Sequence, residues 1–426
     1  MMLSKNHILV LFAWLMLELA TALTVPDRSL QNALGSARTR WRRGAGRKCT
    51  LPPQPEHGSY NITGGTIVGG KASVINLLYS CDQSYEMVGE PAVFCWGGIW
   101  NALELPKCVQ ACKLVKHRSV QYNCIISGTD NTRACKDVEV EGTVIQPTCN
   151  KPYYYTPLEL PYMVCKRGQW NAWSTCIPEC GIFIEDVETG VVPWQAAIYY
   201  KDKVAASHEH VCSGTLISNS VVLTAARCFW DEGLKEIKDE SYYAVAVGKL
   251  NSEWEHPDDE VHAQKSDVKK IAVPSGYSGP DGEGDLAVVV VSRAFDYALR
   301  VRPACLDFKR EMLEQHLSGG SVGKTASWAA VNEVSNATRL RTLDLPFVSK
   351  GDCTTRASED GKFCAGFPNG PALCGADSGS GATFSATIQN TTRQYLRGVA
   401  AGPCGALTTF TAITKHQHLI KTYWFL

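Results

Sequence analysis

The sequence predicts an all-β protein in which small disulfide-rich modules precede a larger β-barrel or sandwich domain. The 426 residues include 18 cysteines, about twice ordinary usage, and ten of them lie before residue 180. After residue 180, short apolar runs alternate with Gly, Asn, Asp and Ser turns over about 245 residues. Closely spaced cysteines are typical of small modules that cannot bury a large core, and the later pattern is typical of many short strands.

Composition excludes several classes of function. The 42 basic and 42 acidic side chains cancel at pH 7, so the chain has no overall field that would hold nucleic acid. With 45% hydrophobic and 20% charged residues, the chain is neither disordered nor a multi-span membrane protein. So many cysteines favour an oxidising compartment, because a cytosol would keep them reduced.

The N-terminus predicts secretion. Lys5, residues 8–19, which are apolar apart from Glu18, and the small residues 20–22 fit a signal peptide over 1–22, and a signal anchor is the alternative. No later stretch is apolar enough to span a membrane. Residues 23–48 form a basic linker that offers a furin-type cleavage site at Arg40–Arg43 or a contact for acidic glycans, and a merely solvated linker is the alternative. Three glycosylation sequons agree with secretion, at Asn61, Asn336 and Asn390.

Residues 49–108 contain four cysteines with a Gly and a Trp between the third and the fourth. This pattern resembles the sushi (complement control protein) module, a small β-sandwich that binds or spaces and does no chemistry. The resemblance implies that the first cysteine pairs with the third and the second with the fourth, giving the bonds Cys49–Cys95 and Cys81–Cys108. About sixty residues bury little apolar surface, so two such bonds would stabilise the module.

Residues 112–176 contain six cysteines, and the last three, with Gly168 and Trp170, repeat the end of the sushi pattern. This segment resembles the six-cysteine sushi variant, sometimes called Wonton, of insect modular serine proteases. Cys124 and Cys135 then remain as an additional pair, although six cysteines allow fifteen pairings. Zinc is the competing use of clustered cysteines, but the segment has no close CxxC pair, so we expect no metal.

The most specific motifs lie in residues 180–426. They are Pro193-Trp194-Gln195 before a strand, Cys212-Ser213-Gly214, Leu223-Thr224-Ala225, Asp285-Leu286-Ala287 and Gly375-Ala376-Asp377-Ser378-Gly379. In this order and spacing they resemble the trypsin-like (chymotrypsin-fold) serine proteases, which implies a two-barrel chymotrypsin-like domain. The resemblance also implies four disulfides: Cys180–Cys305, Cys212–Cys228, Cys353–Cys364 and Cys374–Cys404.

The catalytic positions implied by this resemblance are degenerate. Acyl transfer needs a serine nucleophile, a histidine that takes its proton and a carboxylate that orients the histidine. Ser378 and Asp285 match the nucleophile and the carboxylate, but Arg227 stands at the base position. A guanidinium has only donors and stays charged, so it cannot accept the proton. We therefore expect no functional catalytic residue, and we expect Arg227 to pair with Asp285.

His208 and His210 lie nearby in sequence and are the alternative bases. His210 occupies the position where zymogens of this family hold the aspartate that precedes the nucleophile, so we favour a zymogen-like pair between His210 and Asp377. The twelve residues 181–192 contain neither Lys nor Arg and no Ile/Val-Val-Gly-Gly sequence, so no conventional activating cut is visible.

The substrate-binding positions depart from the family as well. Ala372 at the base of the specificity pocket offers no charge, and Thr408 stands on the pocket wall where the family usually has Gly. Ala376 keeps the oxyanion-hole amide but adds a methyl group that disfavours positive φ. Pro403 removes a backbone donor near the edge that would bind a peptide.

The sequence therefore predicts a secreted, non-catalytic serine protease homologue without cofactor or metal. It would act by binding other secreted proteases or pattern-recognition proteins, as a regulator in an extracellular cascade of the insect Toll and melanisation type. Two alternatives remain: an active endopeptidase that starts such a cascade, and an extracellular matrix or adhesion protein that binds through its sushi modules.

Overall fold

In the computed structural model, the described residues are 48–65, 67–183, 191–202, 207–280, 283–328, 338–349, 353, 361–367, 373, 375–402 and 407–424. They divide into two compact units. The first takes in the described residues up to His117, together with Tyr122–Thr148 and Leu160–Ser174. The second takes in Arg118–Gln121, Cys149–Glu159 and the described residues from Thr175 onward. The predicted signal peptide, the arginines of the basic linker and the sequon at Asn336 lie outside the described residues.

Residues 49–100 form a small sandwich around one apolar sheet face. Its strands are β1 (Cys49–Thr50), β2 (Gly58–Gly64), β3 (Lys71–Ala72), β4 (Val74–Cys81), β5 (Tyr85–Val88), β6 (Ala92–Trp96) and β7 (Ile99–Trp100). β2, β4, β6 and β7 form a four-stranded antiparallel sheet whose inward side chains, including Ile75, Leu77 and Val93, are fully buried. The bonds Cys49–Cys95 and Cys81–Cys108 join the ends of this small core.

The six-cysteine segment, which the sequence predicts to be one module, contributes residues to both units. Its strands are β8 (Lys107–Lys113), β9 (Val120–Ile125), β10 (Thr132–Ala134), β11 (Val138–Val140), β12 (Val144–Cys149), β13 (Tyr154–Tyr155), β14 (Met163–Lys166), β15 (Gln169–Trp170) and β16 (Ile177–Pro178). They form the sheets β10-β9-β12-β14-β15, β11-β8-β5 and β13-β16. Three disulfides stabilise them: Cys112–Cys165, Cys124–Cys135 and Cys149–Cys176.

The first closed barrel of the second unit follows. Its strands are β17 (Gln195–Asp202), β18 (Ser207–Leu216), β19 (Val221–Thr224), β22 (Tyr243–Val247), β23 (Gln264–Ala272) and β24 (Ala287–Val291), with the hairpin of β20 (Trp230–Asp231) and β21 (Glu236–Ile237) beside them. The barrel closes in the order β17-β18-β19-β24-β23-β22. Every residue of β19, β22 and β24 is buried, which explains their Val- and Ala-rich sequences.

A second closed barrel has the order β25-β26-β27-β30-β29-β28. Its strands are β25 (Val322–Ser327), β26 (Arg341–Val348), β27 (Lys362–Ala365), β28 (Gly381–Ile388), β29 (Thr391–Ala400) and β30 (Thr408–Ala412). Phe363, Phe384 and Phe410 fill its core. Within the described ranges, the helices are α1 (Arg310–His316) and α2 (Gln417–Trp424), and 3-10 turns cover Ala226–Phe229, Glu240–Tyr242, Pro257–Asp259, Gly375–Asp377 and Ile413–His416.

These two six-stranded barrels, with the disulfide-rich sheets that precede them, confirm the predicted all-β, chymotrypsin-like fold class. Among the described residues, no helix has the length and apolar character needed to cross a membrane.

Candidate functional site

The predicted base and orienting carboxylate meet at paired strand ends of the first barrel. β19 and β24 are hydrogen-bonded with Thr224 opposite Ala287, so the turn after β19 lies beside the residues before β24. Arg227 in that turn donates from Nε to Asp285 Oδ2 at 2.5 Å and from its backbone N–H to Asp285 Oδ1 at 2.9 Å. Its Nη2 donates to the Pro280 carbonyl oxygen at 3.1 Å. The Asp285 carboxylate, only 1% exposed, is thus satisfied by donors from one residue.

The predicted nucleophile, Ser378, follows a 3-10 turn that uses its backbone amide. The Ser378 N–H donates to the Gly375 carbonyl oxygen at 3.0 Å. In acyl transfer by this kind of site, the N–H of the nucleophile is one of the two oxyanion-hole donors. In the described part of the chain, no hydrogen bond involves the Ser378 hydroxyl. The Ser378 amide is therefore engaged within its own turn.

Residue Ser213 on β18 holds this turn in place. Its backbone N–H donates to the Ser378 carbonyl oxygen at 2.9 Å, and its hydroxyl donates to the Ala376 carbonyl oxygen at 3.1 Å. Gly379 has a φ of 89°, and a Cβ there would lie 2.0 Å from Thr224 Oγ1 and 2.3 Å from the Ser213 carbonyl oxygen. Only glycine therefore allows the turn to approach β18 and β19 so closely.

The prediction that His210 holds Asp377 is wrong for this structure. The fully buried Asp377 carboxylate accepts from the Ser327 hydroxyl at 2.5 Å and from the Trp328 backbone N–H at 2.9 Å. His210 instead packs edge-on against the Trp328 ring at 5.2 Å, and its buried Nε2 has no hydrogen-bond partner among the described residues. A neutral hydroxyl and a backbone amide thus donate to Asp377 where the sequence predicts a histidine.

The two candidate alternative bases, His208 and His210, both contact aromatic side chains and both have lowered pKa values. Desolvation lowers the pKa of His210 to about 4, against the opposing effect of a hydrogen bond with the Cys212 backbone. His208 stacks flat on Trp254 with ring centroids 3.9 Å apart, and burial and then the nearby Lys201 charge lower its pKa. Within the described residues, neither imidazole forms a hydrogen bond with Ser378.

The walls of the predicted specificity pocket are joined by a hydrogen bond. Thr408 on β30 is 5% exposed, and its hydroxyl accepts from the Leu373 backbone N–H at 3.3 Å. Leu373 itself is buried in the core of the second barrel. A glycine at position 408 would leave the space between these two segments open. Ala372, Pro403 and the predicted bond Cys374–Cys404 lie outside the described residues.

The segment where an activating cut would fall is described only at its ends. The bonds Cys180–Cys305, Cys212–Cys228 and Cys353–Cys364 are present in the structure. Gly181 donates to the Pro303 carbonyl oxygen and accepts from the Gln394 N–H, both at 2.8 Å, so the chain is fixed immediately after the tether. Residues 184–190 lie outside the described part of the chain.

One group of potential metal ligands lies within the described residues. Cys124, Cys135 and Glu139 bring ligand atoms within 4.8 Å of one another. The two sulfurs form a disulfide, and Glu139 accepts from both terminal nitrogens of Arg133 at 2.6 and 2.5 Å. A metal would require thiolates and a free carboxylate, whereas these sulfurs are bonded to each other and this carboxylate is paired with Arg133. These contacts therefore indicate a structural cluster.

Comparison with known proteins agrees with this architecture. The Trypsin family model matches residues 182–421, and the Sushi repeat model matches residues 49–108. The chain is 27% identical to the modular serine protease of Drosophila melanogaster, over 87% of this chain and 62% of that protein. It is 24% identical to clotting factor C of Tachypleus tridentatus (86% and 42%) and 24% identical to the inactive serine protease PAMR1 of Homo sapiens (80% and 55%).

The chain thus spans between 42% and 62% of the length of these relatives. The Trypsin match covers more than half of the 426 residues and coincides with the two closed barrels described above. This chain belongs to the trypsin family and has a sushi repeat before its trypsin-like domain.

Proposed function

We propose that this protein is a secreted, non-catalytic member of the trypsin family that acts by binding other proteins. The observation that supports this proposal best is the pair between Arg227 and Asp285 at the position of the base. A guanidinium donates only, and here its Nε is already hydrogen-bonded to the carboxylate that would orient a histidine. Among the described residues, the base position therefore offers Ser378 no group that could take its proton.

Two further features support the loss of catalysis independently of the base. The Ser378 amide is used within its own turn, which removes one donor for the oxyanion. The Thr408 hydroxyl bonds to the Leu373 amide across the position of the specificity pocket. Even with a new base, the site would lack the Ser378 oxyanion donor, and the hydrogen bond between Thr408 and Leu373 would restrict substrate binding.

The names of the relatives indicate where such a binding protein would act. They include a modular serine protease, a clotting factor and an inactive serine protease. We propose that the chain is exported through its signal peptide and regulates an extracellular protease cascade by docking a protease or a recognition protein. Sushi repeats suit this role, since they present rigid, disulfide-stabilised surfaces. Any glycan contact would involve the basic linker.

The loss of catalysis is tested with a fluorophosphonate probe, which labels only activated serines. The secreted full chain is treated beside its Ser378→Ala variant and beside an active trypsin-family enzyme at equal concentration. We expect wild type and Ser378→Ala to show the same background. Stoichiometric labelling that disappears in Ser378→Ala would contradict the proposal and would favour the active endopeptidase.

The binding role needs a separate experiment. Tagged full chain is recovered from conditioned medium, and the co-purified proteins are identified by mass spectrometry. We expect proteases or recognition proteins of one cascade. Predominant recovery of matrix proteins would instead support the adhesion alternative. An Arg310→Met variant, which changes only an exposed ion pair, controls for nonspecific charge effects.

A further inference from the structure

The outward face of the four-stranded sheet of the sushi repeat carries exposed apolar side chains, although Asn76 and Ser80 on β4 also point outward. On β4 the inward residues are buried, whereas the outward residues Val74 and Leu78 are 40% and 46% exposed. On β6 the outward Phe94 is 45% exposed. An antiparallel sheet with one solvated face ordinarily carries polar side chains there. Exposed apolar side chains grouped on one sheet face often mark a surface that contacts another group.

The sequon at Asn61 lies on this same outward face. Asn61 on β2 is directly opposite Leu78 on β4, and Leu78 is directly opposite Ala92 on β6. Residues directly opposite each other in an antiparallel pair point to the same side of the sheet. The side chains of Ser59 and Ser80, one row away, confirm this orientation, because their hydroxyls lie 3.2 Å apart on the exposed side.

We propose that an N-linked glycan on Asn61 lies across the β2, β4 and β6 strands and covers the apolar outward face. Neighbouring strands are about 4.8 Å apart, so β6 is about 10 Å from the attachment point, a distance that the two core N-acetylglucosamine residues span. Phe94 lies on β6 two residues beyond Ala92, diagonal to Leu78. The C–H face of a pyranose ring packs well on an aromatic ring and on aliphatic side chains.

A carbohydrate cover fits this face better than a flat protein partner does. The sequon stands in the same row as Leu78, so an attached glycan begins on the patch itself and would separate an approaching protein from it. The outward positions of β4 and β6 also carry no charged side chain that could orient a partner. The proposal does not depend on the function proposed above, and it directs partner docking to other surfaces.

The test combines glycopeptide analysis with hydroxyl-radical footprinting of the full chain secreted from insect cells. Mass spectrometry first measures glycan occupancy at Asn61. Footprinting then measures side-chain oxidation at Phe94 and Leu78 in wild type, in Asn61→Gln and in Thr63→Ala, which removes the sequon but keeps Asn61. Asn390→Gln is the matched control, because it removes the sequon on the turn between β28 and β29.

We expect Asn61 to be occupied, and we expect oxidation of Phe94 and Leu78 to rise several-fold in both Asn61→Gln and Thr63→Ala but not in Asn390→Gln. If the variants are poorly secreted, trimming the wild-type glycan to its first sugar with an endoglycosidase should produce the same rise. An unoccupied Asn61, or unchanged oxidation after the glycan is lost or trimmed, would overturn the proposal. Protection that persists and depends on protein concentration would assign the face to a second copy instead.

Discussion

The substitution Arg227→His restores the residue type of a catalytic base, and we expect it to leave the protein without measurable peptidase activity. The imidazole would have the orienting partner it needs, because Asp285 is buried and adjacent to this position. The remaining obstacle is the turn at Gly375–Asp377, in which the Ser378 N–H donates to the Gly375 carbonyl oxygen. A tetrahedral intermediate would therefore lack the Ser378 amide, one of its two oxyanion-hole donors.

The size of the remaining deficit follows from the structure. Loss of a catalytic base costs about 10⁶ in turnover in a serine protease, and this is the only deficit that Arg227→His addresses. Each missing oxyanion donor costs about 10² to 10³. The hydrogen bond between Thr408 and Leu373 restricts the space for a substrate side chain and so adds a binding deficit. The oxyanion deficit of about 10² to 10³ and the binding deficit combine, so we expect the activity of the variant to stay within the background of the assay.

The assay compares Arg227→His with Arg227→His/Ser378→Ala on peptide nitroanilides that present a basic, an aromatic or a small side chain at the cleaved bond. The two variants should be indistinguishable. Adding Ala376→Gly and Thr408→Gly to Arg227→His should produce the first Ser378-dependent signal. Turnover by Arg227→His alone that approaches active trypsin-family enzymes would refute the argument that the turn and the pocket matter.

Three further outcomes can be measured by calorimetry. Arg227→Met leaves the Asp285 carboxylate buried with fewer donors, so we expect the free energy of unfolding to fall by about 3 kcal/mol and the Tm to fall by about 6–12 °C. The exposed control Arg310→Met should change the Tm by under about 2 °C. Lys249 and Asp259 form a buried ion pair with Nζ and Oδ2 3.0 Å apart, and Lys249→Met removes the charged partner of Asp259. We therefore expect a lower Tm, and a Tm within about 2 °C of wild type would contradict a stabilising role for this pair. Burial lowers the pKa of His210 to about 4 in the folded protein, so between about pH 7 and 4 this imidazole is protonated in the unfolded state but not in the folded state. The free energy of unfolding should therefore fall as the pH falls through that window, and His210→Gln should reduce the fall.

The fold and part of the site could be predicted because they depend on local signals and covalent spacing. Cysteine spacing and alternating apolar runs indicate modules and barrels, and the motifs place Arg227 and Asp285 at the ends of β19 and β24, which pair directly. The donors to Asp377 could not be predicted. They are the hydroxyl of Ser327 and the backbone N–H of Trp328, about fifty residues away, and neither has a charge or a motif that identifies it. Nor does sequence show which way the Ser378 amide points, because a 3-10 turn depends on backbone contacts.

The identity of the residue that replaces the base has a physical reason. Asp285 is 1% exposed, and a buried carboxylate without a charged or strong donor is costly. An aliphatic residue at position 227 would remove the proton acceptor equally well but would deprive Asp285 of the guanidinium donor. Arginine removes the acceptor, supplies a second donor to Asp285 and adds a third hydrogen bond to the Pro280 carbonyl oxygen. Arginine at position 227 therefore removes a proton acceptor and at the same time stabilises the barrel around Asp285, as the proposed binding role would require.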